Sequence, residues 1–187
     1  MHACWDNRLI EKFRASQGGN RIDEDFLHAS SALDSFAGQV MDRLLRGTDL
    51  RLPDGLAITG KDGLTRQFFR TKFWAENPKT YADVVFQPDP LPNDIANRPL
   101  SEAEHKKILS YPESEPPVFV GHYWREGAPA PLKSNVACID YSAVKYGRLV
   151  AYRMDDERVL SADKFVSINV PRPELIDDGQ KEDSLTR

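Results

Sequence analysis

Cysteine is scarce in this chain: two residues in 187, Cys4 and Cys138, with no C-x-x-C spacing. That argues against a disulfide scaffold or a cysteine-built zinc site, and both thiols read as small, reduced, buried apolar groups. Long apolar runs are missing as well. No stretch approaches the roughly 18 residues that cross a bilayer, and no basic segment followed by an apolar one opens the chain. The expectation is a cytoplasmic protein with no membrane partner. A basic excess is absent too. Lys and Arg number 25 against 29 Asp and Glu, for a net charge of −4, which argues against a nucleic-acid partner, whose binding face is usually basic. There is no internal repeat. Histidine is limited to four positions, His2, His28, His105 and His122, so imidazole chemistry has few candidates.

What is present suits a single domain. The length supports a substantial core, and 40% hydrophobic with 29% charged residues is ordinary for a globular chain. Proline is plentiful, 13 in all, and clusters between Pro78 and Pro131, which predicts an irregular middle rather than a helical bundle. Met1 to Trp5 reads as the end of a strand. Asp6-Asn7 caps a helix carrying Leu9, Ile10 and Phe13, and Gly18-Gly19-Asn20 ends it. A longer helical region follows from Asp23 to Arg46, divided near Ser30-Ser31, with Gly47 as its C-cap. Turns are expected at Pro53-Asp54-Gly55 and Lys61-Asp62-Gly63. Strands are expected around Gln67–Trp74 and Val84–Phe86, a long surface loop over Asp89–Pro99, and a capping-box helix from Ser101 through Leu109. The last third predicts strands at Val118–Val120, Asn135–Asp140, Arg148–Met154 and Val166–Ile168. Charges dominate beyond Pro171, so residues 171–187 are expected to form a flexible tail.

The sharpest local signal is Pro116-Pro117-Val118-Phe119-Val120-Gly121-His122-Tyr123-Trp124. An apolar strand ends in a glycine and then a histidine flanked by aromatics, the pattern by which a buried strand delivers one polar ligand to a site at its end. A second histidine opens the chain in His2-Ala3-Cys4-Trp5. Strand-end His122 reads as a metal ligand against the alternative of an imidazole satisfied by backbone groups. His2 reads equally as a ligand or as a frayed terminal residue. His28 and His105 fall in predicted helices and read as surface or boundary residues. Asp140, on a neighbouring predicted strand, is placed to orient a ligand histidine. Arg125 follows the aromatic pair and is a candidate phosphate-binding residue; Arg70, Lys72 and Trp74 alternate along a predicted strand and could line a groove.

These residues resemble the C-terminal half of a calcineurin-like metallophosphoesterase, in the bacterial branch of serine/threonine phosphatases and symmetrical bis-nucleoside-tetraphosphatases. His2-Ala3 resembles that family's Val-His-Ala strand end, and Gly121-His122-Tyr123 its Gly-His-aromatic strand end, both of which supply metal ligands. The run Ile139-Asp140-Tyr141 through Tyr146-Gly147-Arg148-Leu149-Val150-Ala151-Tyr152-Arg153 resembles the family's closing strand pair, with tyrosine in place of the first of two glycines. The resemblance spans roughly residues 2 to 168.

It implies an α/β fold: about half of a four-layer α-β-β-α sandwich over residues 1–170, a mixed sheet with helices on one side. It also implies a divalent cation held by His2 and His122, with Mn²⁺ first and Fe, Zn or Ni as alternatives, and phosphoprotein or dinucleoside-polyphosphate substrates. The family's Asp-x-His, Gly-Asp-x-x-Asp-Arg-Gly and Gly-Asn-His motifs, which normally precede these strands, do not occur in the chain. Two-metal hydrolysis needs carboxylates that bridge the cations around an activated water. The expectation is therefore a fragment that binds metal weakly and hydrolyses little by itself. The alternative is a noncatalytic interaction module, or a half-domain that associates with a separately encoded N-terminal half.

Overall fold

The computed structural model describes residues 2–60, 63–86 and 91–173. The expected tail from residue 174 onward, and part of the expected turn at 61–63, lie outside these residues. The chain opens with three helices. In α1 (Asn7–Gln17) the Asp6 carboxylate accepts from the Leu9 N–H at 3.2 Å, and Gly18 in the left-handed region closes the helix. Asp23 caps α2 (Glu24–Ala29) in the same way, and Ser35 caps α3 (Phe36–Arg46), so the expected break near Ser30-Ser31 is present. Their shared apolar stripe is Ile10, Phe13, Phe26, Val40 and Leu44, with Phe13 and Phe26 meeting edge to face at 5.0 Å.

The middle builds two small antiparallel sheets. β1 (Asp49–Arg51) pairs with β4 (Phe68–Thr71), which in turn pairs with β5 (Val85–Phe86), while β2 (Ile58–Thr59) and β3 (Thr65–Arg66) form a separate hairpin. A one-turn helix, α4 (Tyr81–Val84), precedes β5 and carries a capping box between Thr80 and Asp83. The stretch expected to be a surface loop instead contains α5 (Asn93–Ala96). Residues 87–90 lie outside the described residues, but Ile95 is buried with Leu50, Phe69, Tyr81 and Val84, and this apolar anchor explains the correction. The expected capping box at Ser101–Glu104 opens α6 (Glu102–His105), which stops short of Leu109. Pro112 disfavours helical backbone at Tyr111, the Tyr111 N–H reaches the Phe73 carbonyl at 2.8 Å, and its ring is buried.

The last third holds the remaining sheets. β6 (Val118–Val120) and β7 (Val136–Cys138) run parallel, and both are largely buried, as parallel pairs usually are. The expected strand over Asn135–Asp140 is in fact two. The chain leaves β7 at Ile139, whose N–H bonds the Val120 carbonyl at 2.9 Å, and enters β8 (Asp140–Tyr141) in a different sheet. β8, β9 (Arg148–Tyr152) and β10 (Phe165–Asn169) make an antiparallel sheet in the order β10-β9-β8. This switch of sheets sets Asp140 beside the end of β6.

The fold is thus mixed α/β, and the described residues form four small sheets rather than the one mixed sheet expected. Its central core gathers Cys4, Phe73, Tyr111, Val120, Tyr123, Val136 and Cys138. Both cysteines are free and buried, and burial pushes the Cys4 thiol up to about 12, so it acts as an apolar group. Among the described residues no helix is long and apolar enough to cross a membrane.

Candidate functional site

His2 does not lie in a strand, contrary to the expectation for Met1–Trp5. Its segment is held instead by two backbone bonds: the Gly121 N–H donates to the His2 carbonyl at 2.8 Å, and the Ala3 N–H donates to the Leu44 carbonyl at 3.0 Å. The opening of the chain is thereby fixed between the end of β6 and the last turn of α3. As a result the His2 and His122 rings, separated by 120 positions (122 minus 2), lie with centroids 4.9 Å apart and planes tilted by 46°.

His122 is itself held under strain. Its φ of 66° is left-handed, a conformation that costs a non-glycine residue about 1–2 kcal/mol. Two side chains from separate sheets offset that cost. Asp140 Oδ2 accepts from the His122 N–H at 2.9 Å, and Arg70 Nη1 donates to the His122 carbonyl at 2.6 Å. Asp140 Oδ1 accepts from the Ser142 N–H at 3.1 Å. Asp140 thus engages His122 through its backbone N–H, and among the described residues makes no bond to the imidazole. The neighbouring Tyr123 is fully buried against Trp74 and Phe86, donates its hydroxyl to the Thr71 carbonyl at 3.2 Å, and takes the Arg70 guanidinium over its ring at 5.5 Å. Trp124, in contrast, is half exposed beneath Lys145 and does not pack around the site.

The imidazole of His122 opens into a cleft of about 830 Å³, also lined by Arg43, Arg46, Arg70, Lys107, Thr48, Asp42 and Asp49. Arg43 and Arg46 lie 3.7 Å from Asp6 and 3.3 Å from Asp42, whereas Arg70 donates to a neutral carbonyl and forms no salt bridge among the described residues. Burial, then repulsion from Arg70 and His2, pushes His122 down to about 4 against the opposing pull of Asp140. Its ring is neutral at neutral pH, the form that ligates metals.

Imidazoles bound at about 2.0–2.1 Å place their centroids roughly 5 Å apart at tetrahedral or octahedral angles, and the observed spacing agrees. Among the described residues, however, no group of three or more His, Cys, Asp or Glu is arranged to hold a metal. Two neutral ligands without a carboxylate make an open, weak site.

Of the other expected site residues, Arg70 lines the cleft and Arg125 does not. Arg125 donates its backbone N–H to the Asp140 carbonyl at 3.0 Å, and its Nε is buried without a hydrogen-bond partner. Lys72 is drawn away to the Ala82 carbonyl, and Trp74 belongs to the core. His28 and His105 are exposed in α2 and α6, as expected. Arg43, Arg46 and Lys107 were not visible as cleft residues in the sequence; the last-turn position of the two arginines suggested only a helix-dipole role. No protein-family model matches the chain, and no curated protein or solved structure matches it either.

Proposed function

We propose that this chain is the C-terminal part of a calcineurin-like metallophosphoesterase domain, in which His2 and His122 are two ligands of one Mn²⁺ or similar ion. The observation that carries the reading is the approach of the two imidazoles beside a cleft lined by Arg43, Arg46, Arg70 and Lys107. When bound, such a cation supplies Lewis acidity toward a phosphoryl oxygen. The chain's own part is to hold His122 neutral and aimed, through Asp140 and Arg70, and to present cationic side chains to phosphate oxygens. Without carboxylate ligands the chain binds metal and phosphate but turns over little, and a second polypeptide segment carrying the missing acidic motifs completes the site.

The test is calorimetric binding of inorganic phosphate with and without Mn²⁺. The reading expects phosphate binding that requires Mn²⁺ and weakens by about tenfold or more in Arg70→Ala. Phosphate binding indifferent to both Mn²⁺ and Arg70 would refute it. Hydrolysis of an aryl phosphate that needs Mn²⁺ and His122 would overturn the inactivity of the isolated chain.

A further inference from the structure

Among the described residues β10 is the longest strand at a sheet edge, and none of them pairs with its outer side. Two bonds flanking the strand fix its phase: Arg153 N–H to the Lys164 carbonyl at 3.0 Å, and Val170 N–H to the Gly147 carbonyl at 2.9 Å. Lys164, Val166, Ile168 and Val170 thus turn their backbone groups toward β9, and Phe165, Ser167 and Asn169 turn theirs outward. The Phe165 N–H is taken by the Ala162 carbonyl. The amides and carbonyls of Ser167 and Asn169 have no partner among the described residues.

Nothing in the strand blunts this edge. Phe165–Asn169 contains no proline, lysine or acidic residue, the devices that normally keep edge strands from pairing. The nearest charge, Lys164, is tied to Asp155 and Glu157 at 3.0 Å each. One face of the same sheet is also uncovered: the cross-strand neighbours Leu149 and Ile168 are 61% and 66% exposed, and Val166 is exposed beside Ala151.

We infer that β10 is a self-association edge, pairing antiparallel with β10 of a second copy about a two-fold axis at Ser167. In that register the two Ser167 residues exchange both backbone bonds, and each Asn169 N–H meets the opposite Phe165 carbonyl. Val166 of each copy stands opposite Ile168 of the other, so the two uncovered apolar rows join into one. The flanking charges select this orientation. Arg172, which lies over Tyr146, is carried to the 162–163 end of the other copy, where the Asp163 carboxylate is bound by the Ser161 hydroxyl. Parallel pairing would set Arg172 against Arg172 and Asp163 against Asp163. The contact is isologous and closes at a dimer. It runs through the edge opposite β8, so the two His122 clefts lie toward the far ends of a continuous sheet, and the inference stands independently of the metal reading.

Sedimentation equilibrium of the full chain over a dilution series tests it. The expected result is a reversible monomer–dimer equilibrium that Ser167→Pro and Ile168→Lys each weaken by about tenfold or more. Arg172→Glu, outside the strand, weakens it as well, and adding Asp163→Lys restores it. A chain that stays monomeric at every concentration overturns the inference. So does association that Ser167→Pro, Ile168→Lys and Arg172→Glu all leave unchanged, or assembly that continues past the dimer.

Discussion

Tyr146 and Gly147 occupy adjacent positions in the turn before β9 and meet opposite constraints. Tyr146 sits at φ 61°, a left-handed conformation that costs a bulky residue about 1–2 kcal/mol and that glycine adopts freely. Gly147 has ordinary φ, but a Cβ there would lie inside contact distance of the Tyr141 and Ser142 carbonyl oxygens. Urea denaturation should therefore show Tyr146→Gly unchanged or stabilised by up to about 1 kcal/mol. Gly147→Ala should be destabilised by roughly 1–3 kcal/mol, since rigid backbone must move to admit the methyl. The family resemblance picked out this pair, because a tyrosine stood where the first of two glycines was expected. His122 was legible for a similar reason: an apolar strand ending in Gly-His-aromatic is a local signal. Gly121 turned out not to be required by space, for the nearest atoms to an added Cβ are at 3.7 Å. Asp140 was legible as a neighbour but not in its role, since no spacing rule shows that a carboxylate will take a backbone N–H instead of an imidazole. Of the cleft cations, Arg43, Arg46 and Lys107 escaped notice because they come from two separate segments that meet only in the tertiary fold.

Helix ends read well from the sequence, since capping is local chemistry: Asp6, Asp23, Gly18, Gly47 and the Ser101–Glu104 box are all where the residue types placed them. Thr80–Asp83 follows the same spacing and went unread amid the proline-rich middle. The division between β7 and β8 was not legible. Val136 to Ile139 is a continuous apolar run, and only pairing with two different sheets breaks it. The turn that joins β9 to β10 carries a compact ionic cluster with a measurable consequence. Partial burial raises the Glu157 carboxyl, but bonds from the Tyr152 hydroxyl, its own backbone, Lys164 and the Asp155 N–H outweigh this and pull it down to about 2. Because the folded value lies below the unfolded one of about 4.3, its contribution to stability is full above pH 4.3 and is lost as pH falls through about 2. Thermal melts across that range should show a smaller acid-side fall for Glu157→Gln than for the wild type. Equal falls would mean the cluster contributes nothing to the hairpin.

At the scale of the whole molecule, the chain's opening segment is tied to the end of β6 and the last turn of α3. Residues 120 positions apart are brought together there by two backbone bonds, and sequence spacing could not measure that approach. The central claim is that the His2–His122 pair binds one divalent cation. It is tested most directly by the melting temperature of the full chain with and without millimolar Mn²⁺ or Zn²⁺. For a site with a dissociation constant of about 0.1 mM, 1 mM metal stabilises by roughly 1.4 kcal/mol, a rise on the order of 3–5 °C for a chain of this size. The account predicts that rise in the wild type and its loss in both His2→Ala and His122→Ala. A wild-type melt that metal leaves unchanged, or a rise that both alanine variants retain, would contradict it.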